Sequence, residues 1–487
     1  MKSRADVEPQ PNNQRFQHCL RELESRGQAN VLRWWDDLGP NARENLLCDI
    51  ESIPWELIDS LIESHVRQRP ESRPPSDLEP VSVFPATPRD EQMEQKFLKA
   101  TDLGAKLLSA GKVAAFTVAG GQGTRLGFDG PKGAVAITPV RGKTLFQLFA
   151  ETVHAACTRF GVNIPWYIMT SPANHQQTVA FLRDNGFFGL PENDVVLFTQ
   201  GMLPSFDFDG NLLMADRHRL ALAPDGHGGS LKSLVASGSL EDMQRRGIEI
   251  ISYFQVDNPL VQPFDELFVG LHAIEASEMS SKVVRKVDDF ERVGNVCLQN
   301  SRATVIEYSN FPRGFATARN EPDGSRKFNV GSIAIHLLNV SFVDRIIARN
   351  FSLPFHRAEK IMTWIDENGI HQASPAQSPN AVKLETFVFD ALPLANNPLF
   401  LEVDRAEEFA PVKNATGVDS MESAINLQIA RAAKWLEAAG VVIPRDADGV
   451  PELTLEIAPS YAMNAYDVIR KITKPPTFRS GETIYIS

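Results

Sequence analysis

Apolar and polar positions change period several times along the chain. Over residues 14–66 the period is helical: Phe16, Leu20 and Leu23 are spaced by four and three, and Leu57–Leu61 and Ile58–Ile62 by four. Gly39-Pro40 and Ile53-Pro54 interrupt that run, which predicts several short helices with Trp34 and Trp35 as core anchors. Residues 1–13 are polar and are expected to be disordered, and 67–88 is proline-rich and reads as a linker laid over a surface. A helix is predicted over 90–110. Beyond it, strand-like and helical runs alternate as far as about residue 403. Val113-Ala-Ala-Phe-Thr-Val118 is apolar or β-branched throughout, as in a strand buried on both faces. Further strands are read at 164–169, 195–198 and 248–256, with a helix over 173–185 ending at Gly186. This alternation predicts a doubly wound α/β domain with a mostly parallel sheet. A last helix is expected over 421–439, and 441–487 reads as a turn-rich, β-type tail. The expected divisions are therefore 1–88, 89–403 and 404–487.

Composition narrows the function classes. A chain of 487 residues exceeds a typical single core. Its formal charge of -12 argues against non-specific binding to nucleic acid, so an anionic substrate needs a local cluster of bases. Cys19, Cys48, Cys157 and Cys297 show no metal-ligand spacing and read as reduced thiols of a cytoplasmic protein. No apolar run approaches the ~20 residues of a membrane span, and the N-terminus lacks the apolar core of a secretion signal.

The chemistry concentrates after the strand at 113–118. In Ala119-Gly-Gly-Gln-Gly-Thr-Arg-Leu-Gly127 and Gly130-Pro-Lys-Gly133, the glycines let backbone N–H groups approach an anion, while Arg125 and Lys132 add positive charge. The spacing excludes two common glycine loops. Leu126 stands where a dinucleotide fingerprint needs a third Gly or Ala, and Lys132 lies between Pro131 and Gly133 instead of closing a P-loop. What remains is a phosphate-holding loop at the carboxyl end of a strand. Asp257 ends the strand-like run in Tyr253-Phe-Gln-Val-Asp-Asn-Pro-Leu260, as a candidate Mg²⁺ ligand or as the cap of a following helix. Gln200, in Gln200-Gly-Met-Leu-Pro204, offers a donor and an acceptor that match the edge of a uracil. Ala223-Pro-Asp-Gly-His-Gly-Gly229 surrounds His227 with glycines that would let backbone lie against a flat or sugar-like ligand. Glu307 and Asn329 suit sugar hydroxyls, while Lys383 and Lys413 taken alone are surface charges. No nucleophile elbow with its triad order and no zinc spacing is present.

Together these segments resemble the UDP-N-acetylhexosamine pyrophosphorylase family, the eukaryotic-type uridylyltransferases, over nearly the full chain. The most specific parts are 119–127 with Pro131-Lys-Gly133, 200–204, and Lys383-Leu-Glu-Thr-Phe-Val-Phe-Asp390. The resemblance implies an α/β nucleotidyltransferase fold, a Rossmann-like mixed sheet with helices on both faces, with a small N-terminal helical and a C-terminal β-rich domain. It implies that Val118, Ala119, Gly120, Gly121, Gln200 and Gly226 hold uridine, and that Arg125, Lys132 and Lys383 hold UTP phosphates. Asp257 would bind Mg²⁺, while Glu307, Tyr308 and Asn329, with His227, would face the sugar and Lys413 its phosphate. Two positions depart from the family pattern: His227 replaces an Asn, and Asn-Ala-Gly-Asn appears as Asn329-Val-Gly-Ser332. Gly-His-Gly at this place is similar to the related UDP-glucose and UDP-sugar pyrophosphorylases. The implied reaction joins UTP and a sugar 1-phosphate, N-acetylglucosamine 1-phosphate first, to give a UDP-sugar and pyrophosphate. Glucose 1-phosphate or a broad sugar range is the alternative substrate class, and a non-catalytic nucleotide-sugar-binding protein the alternative function. The implied partners are small molecules, with neither nucleic acid nor membrane among them, and the sequence does not fix an oligomeric state.

Overall fold

The computed structural model describes residues 11–68, 77–348, 353–372 and 378–487. Of the stretch expected to be disordered, residues 1–10 lie outside this range, whereas 11–13 open the helix Pro11–Ser25. The chain forms two compact units whose bounds differ from the three expected divisions. One gathers the described residues of Met1–Arg73, Gly201–Gly229 and Leu353–Val388, and the other those of Pro74–Gln200, Ser230–Ser352 and Phe389–Ser487.

In the first unit the N-terminal helices do not close a core of their own. Leu23, Leu46, Leu47 and Ile58 are fully buried together with Phe206, Leu212, Val382 and Leu384, which come from the two later segments. Trp34 is buried as expected, while Trp35 is only partly buried and stacks on Phe16 with ring centroids 4.4 Å apart. Two buried polar side chains fix the register of this assembly. Gln28 Nε2 donates to Gly210 O at 2.9 Å and its Oε1 accepts from Leu212 N at 2.9 Å. Asp49 accepts from Arg219 Nε at 2.8 Å and from Leu220 N at 3.0 Å. Each is paired, so its burial costs little and rejects other alignments.

The second unit is built on a sheet of ten strands among the described residues. Val113–Val118 lies at its centre, parallel to Trp166–Thr170 on one side and to Ile250–Gln255 on the other, and Val195–Thr199 pairs in parallel beyond Trp166–Thr170. The other half is antiparallel where Val330–Asn339 pairs with Ile250–Gln255 and with Met279–Arg285. The sheet is thus mixed, and only the half around Val113–Val118 has the mostly parallel character expected from strand–helix alternation. Val113–Val118 and Trp166–Thr170 are buried along almost their whole length because they are covered on both faces. Part of the expected linker belongs to the sheet: Leu78–Glu79 pairs with Leu298–Gln299, and Phe84 exchanges backbone hydrogen bonds with Phe400 and Glu402 at 2.9 and 2.8 Å.

Helices Glu91–Ser109 and Glu266–Ile274 cross in backbone contact. A Cβ on Gly104 would lie 1.8 Å from Glu266 O, and one on Gly270 would lie 1.7 Å from Ala100 O. The tail is less strand-rich than expected. Thr454–Ile457 and Thr483–Ile486 form one parallel pair, which packs with helices Met421–Ala438 and Ala465–Lys471 around Trp435, Leu436 and Leu455. Its polar groups reach back to residues 137–143: Glu456 accepts from Val140 N and Arg141 N at 2.8 and 2.7 Å, and Gln428 Nε2 donates to Ile137 O at 2.9 Å. Among the described residues, no helix is long and apolar enough to cross a membrane.

Gly270→Ala should destabilise the protein by about 3 kcal/mol or more, since a backbone carbonyl cannot step aside as a side chain can. Urea unfolding measures this, and a change below about 0.5 kcal/mol would contradict the packing described.

His272, on helix Glu266–Ile274, predicts a pH dependence. Its Nε2 lies 2.9 Å from Asn339 Oδ1 and its Nδ1 2.7 Å from Ser280 Oγ, so both ring nitrogens have polar partners. Burial pushes its pKa from 6.5 down to about 4. Between those values the unfolded chain binds the proton and the folded one does not. Stability present at pH 7 should therefore fall as pH drops from about 6.5 towards 4, by about 3 kcal/mol from this group. In melting curves across this range His272→Gln should flatten the decline; an unchanged slope would exclude the assignment.

Candidate active site

The glycine-rich loop begins where Val118 leaves the sheet. Ala119 N donates to Met169 O at 2.7 Å and Val256 N to Val118 O at 3.0 Å, which ties the strand end to both neighbours. The loop then doubles back on itself. Gly123 N donates to Gly130 O at 2.9 Å and Lys132 N to Gly121 O at 3.1 Å, so Lys132 returns beside the start of the loop. Arg125 is exposed on the short helical turn Thr124–Leu126. A residue that the pattern did not single out holds this shape. Asn174 is fully buried, and its Nδ2 donates to Ala119 O at 3.0 Å and Gly121 O at 3.1 Å, while its Oδ1 accepts from Ser171 N at 2.8 Å. The available signal was an Asn at the start of a predicted helix, which reads as a local cap; its long-range bonds have no local trace.

Gln200 follows the strand Val195–Thr199, and its N donates to Thr170 O at 2.8 Å. Its amide lies over the loop, because a Cβ on Gly120 would stand 2.9 Å from Gln200 Oε1. The fold therefore gathers Val118, Ala119, Gly120, Gly121 and Gln200 at the carboxyl ends of parallel strands, where open α/β sheets place ligands.

Asp257 is buried two residues beyond Ile250–Gln255, and Lys132 Nζ lies 3.3 Å from its Oδ2. The capping alternative does not hold, since the next helix is capped by Asp265, whose carboxylate accepts from Leu267 N and Phe268 N. Lys413 belongs to the same neighbourhood. Val412 N donates to Asp257 O at 2.9 Å, and Lys413 N to Asp419 O at 2.6 Å. Burial pushes the Asp419 carboxyl above its ordinary value; the Lys413 cation pulls it down and the Asp257 carboxylate pushes it further up. The cations Lys132 and Lys413 thus flank two neighbouring carboxylates, Asp257 and Asp419.

Further along the antiparallel half of the sheet, Gly294 pairs with Ser332, and a Cβ at Gly294 would lie 3.8 Å from Ser332 Cβ and 3.9 Å from Glu307 Oε1. Glu307 and Ser332 therefore flank one glycine. Tyr308 is exposed next to Glu307. Asn329 precedes the strand Val330–Asn339; its carbonyl accepts from Lys286 N at 3.1 Å. Its side-chain Oδ1 is buried with no hydrogen-bond partner among the described residues.

Gly226, His227 and Lys383 belong to the other unit. There the glycines Gly226 and Gly228 approach the chain's own backbone at Thr386 and Phe387. Gly226 has φ +85, and a Cβ on it would lie 2.3 Å from Thr386 O. His227 Nδ1 accepts from Val388 N at 3.2 Å, and its ring stacks on Phe387 at 5.2 Å. Desolvation pushes its pKa down to about 4, with a smaller push from His356, so the ring is neutral at pH 7. Lys383 Nζ lies 3.2 Å from Glu385 Oε1 on the same strand, Ala381–Glu385.

A family model described as UTP–glucose-1-phosphate uridylyltransferase matches residues 77–445. UDP-N-acetylglucosamine diphosphorylase 2 of Arabidopsis thaliana is 34% identical over 448 residues, which cover 88% of this chain and 86% of that protein. UDP-N-acetylhexosamine pyrophosphorylase-like protein 1 of Homo sapiens is 34% identical over 482 residues, or 92% of this chain and 93% of its own. In fold, the chain is similar to the crystal structure of the uridine diphosphate N-acetylglucosamine pyrophosphorylase from Trypanosoma brucei in complex with inhibitor, with a TM-score of 0.79 at 23% identity, covering 100% of this chain and 99% of that one. With the glycine loop, its returning lysine and the sheet all inside the matched span, the chain belongs to the UTP–glucose-1-phosphate uridylyltransferase family.

Proposed function

We propose that the chain transfers the uridylyl group of UTP to N-acetylglucosamine 1-phosphate, giving UDP-N-acetylglucosamine and pyrophosphate. It is a uridylyltransferase by family, and the choice of sugar is supported by relatives named for N-acetylglucosamine and N-acetylhexosamine. The observation that carries the reading is the Lys132–Asp257 pair, 3.3 Å apart beside the glycine-rich loop. We assign Val118 to Gly121, Gln200 and Gly226 to uridine, and Arg125, Lys132 and Lys383 to the phosphates of UTP. Glu307, Tyr308 and Asn329 are assigned to the sugar and Lys413 to its phosphate. His227, already bonded to Val388 and stacked on Phe387, is assigned to shaping the turn that contains Gly226.

The chemistry needs no base. A sugar phosphate is largely dianionic at pH 7, its second pKa being about 6, so its oxygen can attack the α-phosphorus of UTP directly. The obstacle is repulsion between two polyanions. Lys132 and Arg125 would neutralise the triphosphate while Lys413 holds the incoming phosphate in line, so that proximity and charge stabilisation supply the rate. Magnesium is the proposed cofactor and Asp257 its ligand. One buried carboxylate at a strand end fits an ion that keeps much of its water and takes phosphate oxygens for the rest. When bound, the ion would screen phosphate charge and polarise the reacting phosphoryl group. We also propose a cytoplasmic location, supported by the free thiols of Cys19, Cys48, Cys157 and Cys297.

Pyrophosphate release from UTP, Mg²⁺ and a panel of sugar 1-phosphates tests the reaction; binding of UTP without release would favour the non-catalytic alternative. In that assay Asp257→Asn should lower kcat by at least about 100-fold with UTP binding largely kept. Turnover near wild type at saturating Mg²⁺ would remove Asp257 from the mechanism.

The buried Asn329 Oδ1 is an acceptor placed to await a donor, and an N-acetyl group carries an amide N–H. N-acetylglucosamine 1-phosphate should therefore exceed glucose 1-phosphate in kcat/KM by about 100-fold, and Asn329→Leu should cut that ratio to below about 10-fold. Comparable use of both sugars by the wild type would point to the broad-range alternative.

A further inference from the structure

Lys282 is fully buried on strand Met279–Arg285, and nothing in the reaction described above uses it. Its Nζ lies 2.6 and 2.7 Å from the two carboxylate oxygens of Glu408, itself buried, and 2.7 Å from Asp265 Oδ2. Burial alone would push the lysine's pKa down, but the two carboxylates outweigh it and hold the cation charged. Such a group is a poor source of stability, because well-packed apolar side chains of similar volume commonly serve as well or better. What it does supply is a fixed alignment of the three elements that contribute to it.

The element that Glu408 brings is the segment leading to Lys413. Glu408 O accepts from Asn258 Nδ2 at 2.6 Å, Ala410 N donates to Asn258 Oδ1 at 3.0 Å, and Val412 N donates to Asp257 O at 2.9 Å. Alternate residues of 408–412 are thus bonded, one after another, to the pair Asp257–Asn258. At one end of this ladder is the buried ion group. At the other end Lys413 emerges beside Asp257. Asp265 anchors the group a third way, since the same carboxylate caps helix Glu266–Ile274.

We propose that the Lys282–Glu408–Asp265 group is a positioning device that sets the register of 408–413 and thereby the placement of Lys413 beside Asp257. It rests on the reading of Lys413 as the contact for the sugar phosphate. Shifts at Glu408 pass along the ladder to Lys413, while the glycine loop, held separately by Asn174, stays in place.

The test is a double-mutant cycle on the full chain, with KM for N-acetylglucosamine 1-phosphate and for UTP measured by pyrophosphate release. Glu408→Asp keeps the charge but shortens the side chain by one methylene, about 1.5 Å. It should raise KM for the sugar phosphate about tenfold and KM for UTP less than about twofold. Lys413→Ala should itself raise KM for the sugar phosphate, and adding Glu408→Asp to it should change KM less than about twofold, since the effect acts through Lys413. A second variant, Lys282→Met with Glu408→Leu, replaces the ion pair by apolar packing and should fold with similar stability yet show the same selective KM rise. Multiplying effects in the Lys413→Ala background, or an unchanged KM in a folded variant, would overturn the proposal. Loss of folding in both variants would assign the group to stability and overturn it as well. A wild type that releases no pyrophosphate would instead sink the functional reading itself.

Discussion

The structure depends on how one strand ends. Val113–Val118 is buried on both faces and flanked by parallel strands on both sides, so its chain must leave the sheet among backbone groups that all need partners. The neighbouring strands satisfy Val118 O and Ala119 N, and Asn174 satisfies the carbonyls of Ala119 and Gly121. Once the carbonyls are bound to protein, the chain doubles back and returns Lys132 to Gly121. Within the sheet the same strand is locked by a buried bond from Trp166 Nε1 to Thr117 Oγ1 at 2.7 Å. A loop rich in glycine is thereby held in one shape by contacts outside itself, which is what preorganised anion binding requires.

Much of this was legible in the chain because the signals are local. A buried strand, a glycine run and an adjacent Arg and Lys are read within twenty residues, and the helix limits near 91–109 and 421–438 follow from spacing alone. What the sequence hid is long-range. The N-terminal helices share their core with segments that lie far along the chain, because Phe206 and Val382 fill the space that a self-contained bundle would fill with its own side chains. The linker read at 67–88 contains Leu78 and Phe84, and two apolar residues among prolines do not announce backbone pairing with strands two hundred and three hundred residues on. The tail at 441–487 has strand composition, yet one helix and a four-residue strand pair suffice, since Trp435 and Leu436 already supply its core.

The glycines around His227 show why composition cannot separate two physical causes. A Gly at φ +85 against Thr386, and another against Phe387, is needed for backbone-to-backbone packing whatever the ligand. The histidine between them accepts a backbone N–H, which an Asn side chain could also do. Packing determines what each residue there is bonded to.

Charge is organised by the same rule of pairing before use. The chain carries a formal charge of -12, and a field of that sign repels a triphosphate at long range. Screening confines that repulsion to about 8 Å at physiological salt, so recognition is decided by groups in contact with the phosphates. The lysines proposed for that role lie near carboxylates. Lys132 faces Asp257, Lys383 faces Glu385, and Lys413 acts on Asp419. Lys132 and Lys383 are each paired with a carboxylate, and a dianionic phosphate at the same distance would attract a lysine more strongly. On the proposed reading, the carboxylate so released would be an oxygen ligand for a hard cation arriving with the phosphates. An acidic protein can therefore gather two polyanions without a basic surface, provided its lysines sit beside carboxylates whose positions are fixed by backbone.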